Sequence, residues 1–359
     1  MKHLIDPTDL SKQEIDQIIS LAQDIIAHRD RYQGSMAHRK LATLFYEPST
    51  RTRLSFTAAM MELGGNVLGF SDARSSSVAK GESVQDTVRV VSCFADIIAM
   101  RHNLEGAPLA AAEVSPVPII NAGDGSHSHP TQTLTDLLTI QCELGRIDNI
   151  TIGFCGDLRF GRTVHSLIKA LSRYEGIRVV LIAPDELRLP DYIKHDVCDK
   201  MGVEYKEART IDEVMPELDV LYMTRVQKER FLDEDEFDRV KDSFVLDAAR
   251  MRLAKPKMAV LHPLPRVNEI LPEVDADPHA AYFRQVENGK FVRMALIVSL
   301  LEWKNDPEHP MPEGEAPIDD PTLHCSNLKC ICNNEQVPRR FRQLEDGTCR
   351  CWYCDSKVK

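Results

Sequence analysis

The sequence predicts an α/β protein: two doubly wound parallel-sheet domains followed by a small C-terminal zinc-binding domain. Three observations predict it. Short apolar runs that read as buried strands alternate with amphipathic helical segments in both halves of the chain before residue 305. The strand-to-helix turns carry the arginines, hydroxyls and histidines. Six of the ten cysteines crowd into the last thirty-five residues.

At 359 residues the chain is long enough for two or three domains and a large core. A net charge of −11 argues against a nucleic-acid or anionic-membrane binder, so any anionic ligand must be met by arginines placed locally. No apolar run approaches bilayer-spanning length, and Met1–Asp6 lacks the apolar core of a signal peptide. The expectation is a cytoplasmic protein, with Cys93, Cys142, Cys155 and Cys198 as buried free thiols.

The elements follow in order. Ser11–Glu14 forms a capping box ahead of a helix whose apolar face is Ile15, Ile18, Ile19, Ala22, Ile25 and Ile26. Leu41–Phe45 reads as a buried strand. Leu54–Leu63 reads as a helix with Leu54, Ala58, Met61 and Leu63 on its buried face, stopped by Gly64 and Gly65. Between them, Ser49–Thr52 falls at a helix N-terminus, where unpaired N–H groups and the positive dipole end meet two arginines, Arg51 and Arg53. That combination suits an anion, most simply a phosphate; an ordinary Ser/Thr cap with solvated arginines is the competing reading.

Val67–Phe70 is a second strand, Ser75–Glu82 a polar loop, and Ser83 to about Cys93 a helix. Asp96–Met100 is a buried strand ending in Arg101 and His102, and a basic residue there belongs to the crevice where open α/β sheets bind ligands. Val117–Asn121 is the next strand. His127 and His129 have no third ligand nearby, so no metal is expected there. Pro130 suits the first turn of a helix to Leu144 that bridges into the second domain.

Ile150–Phe154 begins the second sheet. The turn Gly156–Thr163 lacks the three-glycine spacing of a dinucleotide site. Strands at Val179–Ile182 and Asp219–Met223 follow, the latter leading into Thr224-Arg225-Val226-Gln227. A further strand ends in Val260–Arg266, where Pro263 and Pro265 fix the backbone around Leu264. Val292–Trp303 is an apolar helix, and Asn305–Pro321, rich in proline and acids, an extended linker. Cys325-x4-Cys330 and Cys351-x2-Cys354 then give a zinc signature. A nucleic-acid-binding zinc ribbon, suggested by Arg339, Arg340 and Arg342, is the lesser reading.

The Ser49-Thr50-Arg51-Thr52-Arg53 phrase, Lys80-Gly81-Glu82, His129-Pro130-Thr131-Gln132 and Thr224-Arg225-Val226-Gln227 together resemble the aspartate and ornithine carbamoyltransferases, over roughly residues 1–305. The Thr-Arg-x-Gln phrase, and the lack of a cysteine near His262–Arg266, point within them to the aspartate enzymes' catalytic chain. The resemblance implies transfer of the carbamoyl group of carbamoyl phosphate to the amine of L-aspartate, a step of pyrimidine biosynthesis. It implies a catalytic set of Arg51, Thr52, Lys80, Arg101 and His129. Carbamoyl phosphate would be held by Ser49, Thr50, Arg51, Thr52, Arg101, His129, Gln132 and the carbonyls of Leu264 and Pro265. Ser76 and Lys80 would join them from a neighbouring subunit of a homotrimer. Aspartate would be read by Lys80, Arg162, Arg225 and Gln227. Arg53 is expected in an internal ion pair. The implied domains are 1–131, completed by helix 290–305; 132–289; a linker 306–321; and 322–359.

The tail resembles the zinc domain of the aspartate carbamoyltransferase regulatory chain, here fused directly to a catalytic chain. It implies one structural Zn2+ on Cys325, Cys330, Cys351 and Cys354, with Cys332 and Cys349 outside the set and no organic cofactor. The domain is expected to dock on a catalytic domain, its own or a neighbour's, and to serve assembly. The rival functions are a carbamoyltransferase for another amino acid and a scaffold without catalysis.

Overall fold

Leu41, Ala42, Leu44 and Phe45 are fully buried, as a parallel strand covered on both faces requires. They form β1 (Lys40–Phe45), which lies inside a parallel sheet with β2 (Asn66–Phe70), β3 (Ile97–His102) and β4 (Ile119–Asp124) in the order β2-β1-β3-β4. The computed structural model describes residues 2–226, 235, 244–306, 309, 316–344 and 347–358. They fall into two units, Met1–Thr131 with Lys290–Lys359, and Gln132–Gly289.

In the first unit the chain runs from β1 outward to β2, then reverses to place β3 on the other side of β1. The carboxyl ends of β1 and β3 therefore flank a topological switch point, the place where such sheets bind ligands. Apart from a single turn at Arg29–Tyr32, the helices that lie wholly within this unit are α1 (Lys12–Ala27), α2 (Thr50–Glu62), α3 (Val84–Val91) and α4 (Ala107–Ala112). The capping box of α1 forms, with Ser11 Oγ accepting from Glu14 N at 3.2 Å and Glu14 Oε2 accepting from Ser11 N at 2.7 Å.

Two expectations need correction here. The buried stripe of α2 and its C-terminal end is Thr52, Phe56, Ala59, Met60 and Leu63, whereas Leu54 and Met61 are 59% and 63% exposed. The helix starts at Thr50, so Leu54 and Met61 lie on the face turned from the sheet. Among the thiols, Cys93 and Cys142 are exposed, and Cys155 and Cys198 are buried.

The second unit repeats the plan with β5 (Thr151–Cys155), β6 (Arg178–Ile182), β7 (Glu204–Ala208), β8 (Val220–Met223) and β9 (Ala259–Leu261), all parallel, in the order β7-β6-β5-β8-β9. Its switch point lies between β5 and β8. The unit division falls within α5 (Pro130–Leu144) and again within α7 (Tyr282–Lys304), with α6 (Arg162–Leu171) following β5. Helix α7 begins ten residues before the apolar stretch that predicted it. Its first turns bury polar Gln285 and Asn288, which donate to Asp136 Oδ1 (2.6 Å) and Thr139 Oγ1 (3.1 Å).

The tail folds as an antiparallel sheet of β10 (Ile318–Asp319), β11 (Arg340–Gln343) and β12 (Cys349–Cys351). It starts inside the stretch expected to be linker, because Ile318 and Asp319 pair with Phe341 and Arg340, and Asp319 also meets the Arg340 guanidinium at 2.9 Å. The tail belongs to the first unit. Ile331, Tyr353 and the buried cysteines share one hydrophobic core with Val84, Val88, Ala107, Ala110 and Ala111. Gly106 (φ +79°) is required at the contact, since a Cβ there would lie 2.4 Å from that of Tyr353. Among the described residues no helix is long and apolar enough to cross a membrane.

Candidate active site

The loop leaving β1 delivers Ser49 to the N-cap of α2, with a side chain that makes no capping hydrogen bond. Helices α1 and α3 carry Glu14 and Asp86 in their first turns; α2 has no acid there, and Arg51 and Arg53 stand in its place. The positive end of that helix is thus left for an anion from outside the chain. Thr52 is buried in the same turn, while Ser49, Thr50 and Arg51 are half-buried or exposed. Although Arg51 as a whole is exposed, the packing around its guanidinium, and then the like charge of Arg101, lower its pKa.

Arg101 is the last residue but one of β3, across the switch point. Its Nη2 lies 2.7 Å from Glu47 Oε2 as a charge pair, and its Nε is a buried donor with no hydrogen-bond partner among the described residues. A guanidinium that feels the like charge of a second one nearby favours a bound anion beside them. The neighbouring His102 is kept neutral: burial, only partly opposed by Asp124, lowers its pKa to about 4, and its Nδ1 accepts from Leu104 N at 2.9 Å.

His129 follows β4 and is buried, with Nδ1 3.3 Å from Thr131 Oγ1. Its loop is tied down by fully buried Asp124. Oδ1 accepts from Asn121 Nδ2 (2.9 Å) and Ser128 N (3.0 Å), and Oδ2 accepts from Gly106 N (2.8 Å). His127 Nδ1 is 3.0 Å from the same Oδ2. Burial alone would lower the His127 pKa, but Asp124, with Asp355 and Asp6, overrides it and raises the value to about 10. His127 is thus a clamp on the loop that presents His129.

The Ser75–Glu82 stretch forms two short 3-10 turns, Ala73–Ser75 and Ser77–Lys80, closed by Gly81 at φ +92°. Ser76 Oγ accepts from Val78 N (3.3 Å) and donates to Ala73 O (2.8 Å). Lys80 is exposed and forms no ion pair with a described residue.

In the second unit the switch point again carries two arginines, Arg162 opening α6 after β5 and Arg225 just beyond β8. Thr224 joins the two turns: its Oγ1 accepts from Asp157 N (2.8 Å) and donates to Cys155 O (2.9 Å). Gly156 (φ +110°) passes so close to Thr224 O that a Cβ would stand 2.5 Å from it. Gln227 lies outside the described residues.

A buried network orders the remaining candidates of this unit. Asp136 accepts from Gln132 Nε2 (2.7 Å), Gln285 Nε2 (2.6 Å) and the Tyr222 hydroxyl (3.0 Å). Gln285 Oε1 in turn accepts from His262 N (2.9 Å), and His262 accepts at Nδ1 from Leu264 N (2.7 Å) while its Nε2 faces Glu269 at 2.8 Å. Leu264, at φ +54°, joins Pro265 through a cis peptide. The sequence names Gln132, Leu264 and Pro265 as candidates but gives no role to Asp136, Gln285, Glu47 or, beyond its place in the Thr-Arg-x-Gln phrase, Thr224. Their partners are too distant along the chain for any local pattern to show. It also assigned Arg53 an ion pair; its Nε is buried without a partner, and no described acid pairs with it.

In the tail, the sulfurs of Cys325, Cys330, Cys351 and Cys354 are all buried and within 4.8 Å of one another. Cys325 and Cys354 stand 3.5 Å apart, Cys330 and Cys351 3.7 Å. Thiolates placed tetrahedrally at about 2.3 Å from a zinc ion sit about 3.8 Å apart, so the cluster fits a metal site. Cys332 lies at its edge, 3.3 Å from Cys330 and 3.9 Å from Cys351.

Comparison with known proteins follows the same division. Residues 2–142 match the family described as aspartate/ornithine carbamoyltransferase, carbamoyl-P binding domain. Residues 148–300 match its Asp/Orn binding domain, and residues 318–359 match the aspartate carbamoyltransferase regulatory chain, metal binding domain. The aspartate carbamoyltransferase catalytic subunit of Lachnoclostridium phytofermentans is 62% identical over 301 residues, covering 84% of this chain and 98% of that one. The catalytic subunit of Clostridium acetobutylicum is 59% identical over 300 residues, with the same coverage. Among solved structures, the catalytic subunit of M. jannaschii aspartate transcarbamoylase superposes with a TM-score of 0.80 at 49% identity, covering 85% of this chain and 99% of that one. Aspartate transcarbamoylase from Trypanosoma cruzi, in complex with carbamoyl phosphate and aspartate, gives 0.79 at 44% identity, covering 83% and 96%.

Proposed function

The chain belongs to the aspartate/ornithine carbamoyltransferase family, and from that premise we propose how its residues divide the aspartate carbamoyltransferase reaction it catalyses. The amine of L-aspartate attacks the carbonyl carbon of carbamoyl phosphate. The tetrahedral intermediate collapses with cleavage of the carbon–oxygen bond to phosphate, giving N-carbamoyl-L-aspartate. The observation that carries the assignment is the pair of arginines at each switch point, Arg51 with Arg101 and Arg162 with Arg225.

Ser49, Thr50, Arg51 and Thr52, with Ser76 and Lys80 supplied by a neighbouring subunit, hold the phosphate. Thr52, Arg101 and His129 donate to the carbonyl oxygen as it becomes an oxyanion. Gln132 and the carbonyls of Leu264 and Pro265 take the carbamoyl nitrogen, supported by the Asp136–Gln285–His262 network. Arg162, Arg225, Gln227 and Lys80 aim aspartate through its carboxylates. Positioning two bound substrates supplies much of the acceleration without a covalent enzyme intermediate. The departing phosphate is the acceptor for the proton the amine must lose.

We assign the metal as one structural Zn2+, on the chemistry of four thiolates at tetrahedral spacing. Thiols held free in such a cluster suit the reducing cytoplasm. A homotrimer with shared sites accounts for an exposed Lys80 that no acid among the described residues answers, and for Leu54 and Met61 left bare on α2.

Two experiments test this division. Arg225→Ala removes a charge-assisted contact worth roughly 1.5–3 kcal/mol, so the aspartate KM is expected to rise about ten- to hundredfold with little change for carbamoyl phosphate. An unchanged aspartate dependence removes Arg225 from the site. Separately, Lys80→Ala and Arg51→Ala trimers are each expected to be inactive, and reassembly of a mixture to regenerate one complete site in every mixed trimer. If verified mixed trimers stay inactive, Lys80 does not act across the interface.

A further inference from the structure

We infer that the metal-bound tail positions the carbamoyl phosphate site, and that Glu335 is the residue through which it holds the loop bearing Lys80. The inference rests on the reading of Lys80 as a substrate-binding residue.

Only Gly81, Glu82 and Ser83 separate Lys80 from the start of α3. Where that helix starts therefore fixes where the loop ends. Ser83 Oγ accepts from Asp86 N at 3.1 Å, and Glu82 Oε2 accepts from the Thr87 hydroxyl at 2.9 Å. The first helical N–H, that of Val84, has neither partner. It donates instead to Glu335 Oε2 of the tail at 2.9 Å, across 251 positions of sequence. A carboxylate at that end of the helix also meets its positive pole. Glu335 is itself fixed by the metal cluster: its N–H donates to Ile331 O at 2.8 Å, and the Ile331–Asn333 turn is capped by the ligand Cys330. The chain of connection runs from metal ligand to turn, to carboxylate, to helix start, to the Lys80 loop.

A second strut from the tail reaches the other side of the same site. Glu105 stands four residues beyond Arg101. Its backbone pairs with the tail on both sides, N to Lys329 O (2.9 Å) and O from Ile331 N (3.0 Å). Its carboxylate accepts from Asn327 Nδ2 of the tail at 2.6 Å and from Ser126 N, in the loop that leads to His129, at 3.2 Å. The loops that follow Arg101 and precede His129 are thus joined to the tail through one side chain. A domain that served assembly alone would need neither contact.

Steady-state kinetics on the full-length protein tests this with Glu335→Ala, Glu335→Gln and Lys80→Ala. Glu335→Ala is expected to lower kcat/KM for carbamoyl phosphate about three- to tenfold and to raise the aspartate KM with it, since Lys80 serves both substrates, while the metal content stays unchanged. Glu335→Gln keeps an acceptor oxygen for Val84 N and is expected to recover most of the loss, which a general loss of stability would not. If Lys80→Ala cripples turnover but Glu335→Ala leaves kcat/KM at the native value, the inference is overturned. An equal defect in Glu335→Gln, or loss of the metal in Glu335→Ala, overturns it as well. Native kinetics in Lys80→Ala would instead overturn the reading of the site beneath it.

Discussion

Replacing Arg51 by alanine is expected to remove nearly all turnover while the far-ultraviolet circular dichroism stays native. The fold does not depend on this side chain. Arg51 is exposed in the first turn of α2, and the helix is anchored by buried Phe56, Ala59, Met60 and Leu63 on its other side. On the proposed division of the site the chemistry does depend on it, because the phosphate gains charge as the carbon–oxygen bond breaks, and the first turn of α2 offers no other charge except Arg53. Loss of one preorganised donor to developing charge costs about 10²–10³ in rate, and a full positive charge at a helix N-terminus puts the expectation at the upper end. The loss should fall on kcat and kcat/KM together, the mark of an interaction made in the transition state. Arg53→Ala is the comparison: its guanidinium is half-buried with an unpartnered Nε, and the variant should lose stability before it loses chemistry. Near-normal turnover in Arg51→Ala would place the leaving phosphate elsewhere.

The sheets were legible because parallel strands covered on both faces must be continuous apolar runs, and β1 and β5 are buried along almost their whole length. Strand β7 (Glu204–Ala208) escaped for the opposite reason: it is an edge strand whose residues are mostly exposed and charged, so no apolar run marks it. Helix α2 was found, but its buried face was misjudged. Apolar residues alone gave the stripe, and the helix buries Thr52 while leaving Leu54 and Met61 outside. The candidate arginines stand out in the sequence because charge at the carboxyl end of a buried strand is rarely there for packing. Residues that hold the site could not. Asp136 gathers Tyr222 from 86 positions away and Gln285 from 149, and nothing local to a helical aspartate shows that. The same limit hid the tail's grip on Val84 and Glu105.

Substituting a metal ligand is expected to have the other large effect, on structure first and on rate through it. Full-length protein should carry one zinc per chain, and Cys330→Ser, like Cys325→Ser, Cys351→Ser and Cys354→Ser, should lose it. Structural zinc in small domains supplies on the order of 10 kcal/mol of folding free energy, and a segment this short has no separate core with which to replace it. Here the consequence spreads beyond the tail. Ile331, Tyr353 and the cysteines are part of the core that also contains Val84, Val88, Ala107, Ala110 and Ala111. Release of the metal should therefore bare apolar surface on α3 and α4, seen as binding of a hydrophobic dye and as growth in light scattering. Cys349→Ser and Cys332→Ser should keep the metal, because a tetrahedral site is filled by the four sulfurs already within 4.8 Å of one another. The Cys332 variant is the sharper test, since its sulfur stands 3.3 Å from that of Cys330. Metal lost from Cys332→Ser but retained in Cys330→Ser would exchange the two ligands. Deleting the residues beyond Pro321 asks the remaining question. If the shortened chain kept its assembly state and did not bind the dye, α3 and α4 would not need the tail as part of their core.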